Sequence, residues 1–304
     1  MRNTPTTTST MNRIFAPLAF VFLTAILIVS CKKDGGEMTD NPGVAKKMLN
    51  VAYGIDSLQK MDIYLPAGRS VTSTKVLAVV HGGSWNSGDK KDLQFVVDSL
   101  QKYLPDYAIF NINYRLANNT GGNIFPTQET DVKAAIQFIY NNRSAYACNT
   151  DKSAILGQSA GGQLAMLAAY TNKTPVKFKS VVNISGVANF AELMAYFTAV
   201  DPNTALRLAV LLGGTPSSNA ANYAAASPIT HITPQSPPTL IFHGTTDVVV
   251  PFTQSSSLAA ALNIKGVKNT LVTFPGVGHD FLVSQLAVVS TLLNTVNFLN
   301  NNNQ

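Results

Sequence analysis

Apolar positions along this chain fall into two alternating rhythms from about Met48 onward. Short β-rich runs are separated by longer stretches in which apolar residues recur every three or four positions. The runs Val76-Leu77-Ala78-Val79-Val80 and Leu240-Ile241-Phe242 are continuously apolar, as strands are when both faces of their sheet are covered. Eight strands are expected: Leu49–Tyr53, Met61–Tyr64, Val76–His81, Ala108–Asn113, Ser153–Leu156, Ser180–Ile184, Thr239–His243 and Thr270–Phe274. Helices are expected at Asp92–Tyr103, Thr130–Asn141, Ala160–Tyr170, Thr253–Leu262 and Leu282–Leu299. In the second of these, Val132, Ala135, Ile136, Phe138 and Ile139 follow a spacing near 3.6. Alternating strands and helices predict an α/β fold, a parallel sheet with crossover helices.

Three stretches depart from that rhythm. Residues 186–236 are long, rich in Ala, Asn and Ser, and show no clear strand, which marks an insertion forming a small cap or lid. The Asn300–Asn303 tail is low in complexity and expected to fray. The first thirty residues carry only Arg2 and Arg13 as charges, and Ile14 to Val29 is nearly unbroken apolar sequence. That run is short for a membrane span, contains Pro17 and ends in small residues, so it reads as a cleaved export signal. Ile28-Val29-Ser30-Cys31 resembles the bacterial lipobox, which implies cleavage before Cys31 and attachment of lipid to its thiol. A polar, Gly-containing tether follows over 31–46, leaving 47–304 as the folded domain. The residues after Cys31 are similar to those of lipoproteins sent to the outer membrane of Bacteroidetes-type bacteria. The bacterial cell envelope is therefore the expected location.

Composition narrows the chemistry. Of 304 residues, 46% are apolar and 12% charged, enough for a large core and too hydrophobic for disorder. The net charge of +6 is dispersed, with no basic cluster beyond Lys90-Lys91 in the folded part, so no nucleic-acid partner is expected. The two cysteines, Cys31 and Cys148, form no CxxC pair, and no HExxH occurs, so no metal is expected. Gly276-Val277-Gly278 starts like a dinucleotide fingerprint, but Phe281 replaces the third glycine, and no GxxxxGK[ST] is present. No cofactor is expected.

The strongest chemical signal is Gly157-Gln158-Ser159-Ala160-Gly161-Gly162, between an expected strand and an expected helix. It fits a nucleophile elbow, where a serine sits on a strained turn, glycines two residues to either side avoid clashes, and the helix N-terminus favours developing negative charge. A serine hydroxyl needs a base, and the base needs a carboxylate to orient it. Of the four histidines, His81, His231, His243 and His279, only His279 follows the strand ending in His243. Asp247 is the first acid on the loop after that strand, with Asp280 the nearby competitor, hindered by adjacency to His279. His81, His231 and His243 read as structural. His81-Gly82-Gly83-Ser84-Trp85 directly follows the third strand and could supply an oxyanion hole through the amides of Gly83, Ser84 and Ala160, or of Gly82 if the turn winds differently. Trp85 and Tyr114 read equally as site lining or core.

These pieces, with Asn113-Tyr114-Arg115-Leu116, Asp131-Val132-Lys133-Ala134-Ala135 and Ser227-Pro228-Ile229-Thr230-His231, resemble the α/β-hydrolase superfamily. Within it the chain is similar to HGGxW esterases related to hormone-sensitive lipase, kynurenine formamidase and acetyl-xylan or feruloyl esterases, over about residues 50 to 300. Ser84 stands where a third glycine is common, and Gln158 where many relatives carry Asp. The resemblance implies an eight-stranded, mostly parallel sheet with a small cap. It also implies a serine carboxylesterase acting on short-chain or carbohydrate-linked esters through Ser159, His279 and Asp247. An amidase, peptidase or arylformamidase-like hydrolase is the alternative, and a non-catalytic binding lipoprotein the weakest reading. Membrane contact would come only through lipidated Cys31.

Overall fold

The computed structural model describes residues 41–118, 120–280 and 284–304. The expected signal (1–30), Cys31 and most of the expected tether lie outside the described residues.

Eight strands form one sheet: β1 (Lys46–Ala52), β2 (Lys60–Leu65), β3 (Lys75–Val80), β4 (Tyr107–Ile112), β5 (Ser153–Gln158), β6 (Ser180–Ile184), β7 (Thr239–Gly244) and β8 (Asn269–Phe274). Their spatial order is β1-β2-β4-β3-β5-β6-β7-β8. Pairing is antiparallel from β1 to β2 and from β2 to β4, and parallel from there to β8. This is the mostly parallel α/β architecture that the alternating rhythms predict.

The central strands β3, β4, β6 and β7 are buried at every position. Period-two geometry divides their side chains between two cores. Val76, Ala78 and Val80 face one core with α2 (Thr127–Asn141), α3 (Ala160–Tyr170) and α7 (Thr253–Ile264), while Leu77 and Val79 face the other with α1 (Gln94–Tyr103) and α8 (Gln285–Asn302). Continuous apolar runs are thus two half-buried patterns superposed. The edge strand β1 is mostly exposed and begins three residues earlier than its apolar pattern suggests, because Lys46 and Lys47 contribute backbone pairing without burial.

Other differences have local causes. A capping box between Asp89 and Asp92 winds Lys90–Leu93 into a 3-10 turn before α1 starts at Gln94. Helix α2 begins at Thr127 because Gln128 is buried and donates to the carbonyls of Arg115 and Asn123. The Asn300–Asn303 tail is not frayed. Helix α8 runs through Asn302, and buried Asn303 donates to the Tyr107 hydroxyl and the Lys152 carbonyl, giving the polar tail an internal anchor. At the other end, the Arg69 guanidinium donates to the carbonyls of Asn41, Pro42 and Val44, so the last expected tether residues are tied to the domain.

Residues 186–236 hold three helices, α4 (Phe190–Val200), α5 (Pro202–Leu211) and α6 (Ala220–Ala226), and a 3-10 turn at Pro228–His231. Asn189 caps α4 by accepting from Ala191 and Glu192 amides. Asp201 caps α5 through Asn203 and Thr204, with Pro202 pre-set at its first turn. That Asp-Pro start is the signal by which sequence alone could have placed α5. Among the described residues no helix is long and apolar enough to cross a membrane.

Candidate active site

The loops at the carboxyl ends of β3, β5, β7 and β8 converge, as expected for an open parallel sheet. Ser159 links β5 to α3 with φ 53° and ψ −121°, a conformation that costs a side-chain-bearing residue roughly 1–3 kcal/mol. Its neighbours explain why the turn can be so tight. A Cβ on Gly161 would lie 2.2 Å from the Val80 carbonyl oxygen, and one on Gly157 would lie 2.1 Å from the Gly161 carbonyl oxygen. The Ser159 amide donates to the Ile184 carbonyl at 2.7 Å, pinning the elbow to β6.

The structure brings the three chain-distant residues together. His279 Nε2 lies 3.0 Å from Ser159 Oγ, and His279 Nδ1 lies 2.6 Å from Asp247 Oδ2. The Asp247 side chain is fully buried, whereas that of His279 is 19% exposed and reachable from solvent. Asp247 Oδ1 accepts from the Val249 and Val250 amides, both at 2.8 Å. Burial by itself raises the Asp247 carboxyl's pKa, but hydrogen bonds from His243 and His279, the His279 charge and the Val250 amide outweigh it and hold the group well below the usual carboxylate range. Asp280 makes no contact with the imidazole among the described hydrogen bonds, so Asp247 alone occupies the orienting position.

The Gly82–Trp85 loop passes directly over the elbow: Gly82 sits where an added Cβ would be 3.2 Å from Ser159 Cβ. Gly83, Ser84 and Trp85 all have positive φ, and the Gly83 carbonyl accepts from the Asn86 and Ser87 amides, which closes the loop into a tight turn. Among the described residues no acceptor pairs with the amides of Gly83 or Ser84, and Ala160 carries the first amide of α3, which has no intrahelical acceptor. His81 supports this loop: its Nδ1 donates to the Gly82 carbonyl at 2.6 Å, and its ring stacks on Tyr114 at 4.3 Å. Burial lowers the His81 pKa and keeps the ring neutral. The Tyr114 hydroxyl donates to the His81 and Gly82 carbonyls, so Tyr114 is a core residue that shapes the loop from beneath. Trp85 both packs on Phe190 and lines the cavity.

Three residues gain a place that sequence spacing did not assign. Buried Gln163 accepts from Trp85 Nε1 and donates to the Ala226 carbonyl, tying the glycine loop to α6. His243, expected to be structural, lies 3.2 Å from Asp247 Oδ2 through Nε2, and its Nδ1 contacts Ser255 Oγ at 2.5 Å. The i, i+4 spacing of His243 and Asp247 was the only available hint. His231 stays apart, with Nε2 on the Ala225 carbonyl.

Above Ser159 lies a cavity of about 360 Å³. Its walls come from the inserted helices and the Asp247 loop, chiefly Leu193, Phe197, Leu208, Leu211 and Val248, with Asp201 and Arg207 adding charge. Among the described residues no three His, Cys, Asp or Glu side chains cluster as a metal site requires.

This geometry can be set beside known proteins. The chain is 30% identical over 221 residues to a probable carboxylic ester hydrolase, LipM, of Mycobacterium tuberculosis, covering 68% of this chain and 49% of that protein. It spans about half the length of the curated relatives it matches. Among solved structures, a bifunctional GH43-CE protein of Bacteroides eggerthii is 29% identical with a TM-score of 0.70, over 85% of this chain and 35% of the other. A truncated carbohydrate esterase from gut microbiota is 25% identical with a TM-score of 0.71, over 87% of this chain and 98% of the other. The BD-FAE family model matches residues 61–262, which takes in the glycine loop, the elbow and Asp247. With well over half of its length matched, this α/β-hydrolase chain belongs to the BD-FAE family.

Proposed function

We propose that the chain is a serine carboxylesterase acting on short-chain or carbohydrate-linked esters. The observation that carries this reading is the continuous contact Asp247–His279–Ser159 at the floor of a largely apolar cavity. A hydroxyl, a base and an orienting carboxylate within hydrogen-bond reach form the minimum set for acyl transfer. The similarity to LipM and to the gut carbohydrate esterase supports the same class.

In the proposed reaction Ser159 Oγ attacks the ester carbonyl while its proton passes to His279 Nε2. The amides of Gly83, Ser84 and Ala160 receive the negative charge that develops on the carbonyl oxygen. Asp247 holds the imidazole in the tautomer whose Nε2 is free to accept and stabilises the imidazolium. Collapse of the tetrahedral intermediate breaks the C–O bond, and His279 returns the proton to the leaving alkoxide. Water, deprotonated by His279, then releases the acid from Ser159. The apolar wall suits an acyl group, and the polar lining residues Asn86, Asn118, Asp201 and Arg207 suit the hydroxyls of a sugar-borne alcohol; acetyl or feruloyl groups on xylan are the natural substrates we favour.

Hydrolysis of p-nitrophenyl esters from acetyl to long-chain acyl, with Ser159→Ala in parallel, tests the class. Acetate or ferulate release from xylan tests the substrate. Short-chain activity lost in the variant supports the esterase; activity indifferent to Ser159 overturns it. Export and lipidation at Cys31 form part of the same proposal, resting on the lipobox resemblance, and labelling with a radioactive fatty acid in wild type but not in Cys31→Ser is the expected result.

A further inference from the structure

Behind the Asp247 carboxylate lies a buried pair with no bond-making task. His243, the penultimate residue of β7, is wholly buried. Its Nε2 is 2.8 Å from the Val250 carbonyl oxygen and 3.2 Å from Asp247 Oδ2, and its Nδ1 is 2.5 Å from Ser255 Oγ near the start of α7. Both neighbours of Nε2 are acceptors, so Nε2 must carry the ring's hydrogen. With that hydrogen on Nε2, Nδ1 offers a lone pair to which the Ser255 hydroxyl donates. The Phe252 ring stands edge-on at 5.7 Å and packs against the imidazole. The Nε2 hydrogen is directed at the Val250 carbonyl at 2.8 Å with Asp247 Oδ2 beside it at 3.2 Å, so polarity runs one way, from Ser255 through His243 to the Asp247 loop.

The consequence lies in the carboxylate's geometry. Oδ1 is held by the Val249 and Val250 amides, and Oδ2 is shared by His243 and His279. The two amides act at one oxygen and define a pivot; His243 fixes the other oxygen about that pivot. The same Nε2 hydrogen also holds the Val250 carbonyl, steadying the residue whose amide grips Oδ1. Without His243, His279 alone among the described residues would contact Oδ2.

We propose that His243, set in its donor tautomer by Ser255, is a positioning residue for the reaction: it fixes the Asp247 carboxylate so that Oδ2 faces His279 Nδ1. This rests on the serine-esterase reading above.

Two polar substitutions differing in reach test it. The amide nitrogen of His243→Gln can stand near the place of Nε2, whereas the shorter His243→Asn reaches only the place of Nδ1. The expected result, with p-nitrophenyl butyrate, is a fall in kcat of roughly 30-fold in His243→Asn with KM within about twofold, and recovery to within about fivefold of wild type in His243→Gln. Equal kcat values in the two folded variants, whether both high or both low, overturn the proposal. Should His243→Asn fail to fold, Ser255→Ala carries the test with the native ring in place. A fall in kcat of about threefold at unchanged KM supports the proposal, and an unchanged kcat overturns it. Ser159→Ala separates the two readings. If it is inactive while Asn and Gln variants match, only the His243 role falls; if wild type cleaves no ester, or Ser159→Ala is as active as wild type, the triad reading falls and takes this one with it.

Discussion

Gly161→Ala adds one methyl group and changes no chemical function, so it isolates the steric demand of the elbow. The new Cβ would stand 2.2 Å from the Val80 carbonyl oxygen and 2.3 Å from that of His81, where real Cβ contacts stay beyond 3.0 Å. Both obstacles lie at the end of β3, a central strand paired on both sides, and cannot swing away as a side chain would. The start of α3 must therefore retreat by about 0.8 Å, the difference between 3.0 and 2.2 Å. Ser159 is two residues upstream, and a shift of that size along its contact would stretch the 3.0 Å separation from His279 Nε2 toward about 3.8 Å, beyond hydrogen-bond reach. Overpacking of this kind costs about 1–3 kcal/mol of stability. Misplacing a reacting group by about 1 Å costs on the order of 100-fold in rate. Urea unfolding of wild type and Gly161→Ala gives the first quantity, and kcat/KM for a p-nitrophenyl short-chain ester, measured well below the unfolding transition, gives the second. A Gly161→Ala variant with an unchanged urea midpoint and kcat/KM within threefold of wild type would refute the reasoning.

Three further outcomes follow from buried groups. Because the Asp247 pKa is depressed on folding, its charge stabilises the fold fully above the unfolded value near 3.9, and this contribution drains away as pH falls below that value toward the folded one. The urea-midpoint advantage of wild type over Asp247→Asn should therefore shrink between pH 6 and pH 3; a constant difference contradicts the depressed pKa, and the same variant should lose about 10³–10⁴-fold in kcat. Burial pushes the Cys148 thiol up to about 12, so in a Cys31→Ser background a thiol reagent at pH 8 should label Cys148 only as fast as the protein unfolds, and rapid labelling of the folded protein would count against this. Asn303→Ala removes buried donors from the Tyr107 hydroxyl and the Lys152 carbonyl and should lower stability by about 1–3 kcal/mol in urea unfolding, whereas a frayed tail would show no change.

Much of this fold was legible because its causes are local. Period-two burial on both faces writes β3 and β7 as continuous apolar runs, and a helix packed on one side writes α2 at a 3.6 spacing. The elbow was legible for the same reason, since the strain at Ser159 and the closeness of β3 impose glycine within two residues. The helices α4 to α6 were not. Their apolar residues pack against one another and over the site rather than against the sheet, so no sheet-facing stripe marks them, and short Ala-rich segments look like loop. The polar end of α8 misled for a related reason: the Asn303 amide nitrogen donates to a hydroxyl almost two hundred residues away, and composition carries no trace of that partner.

By itself, then, the sequence determined the α/β class and the strained glycine-flanked turn, and it singled out Ser159, His279 and Asp247 as candidates, because each answers to constraints within a few residues or to chain order. Only the tertiary structure decided that His279 reaches both Ser159 and Asp247, that His243 and Ser255 stand behind the carboxylate, and that an apolar cavity lies over the serine. These are distances between residues far apart in the chain, set by how helices and loops pack around one sheet, and a linear pattern records neighbours along the chain rather than neighbours in space.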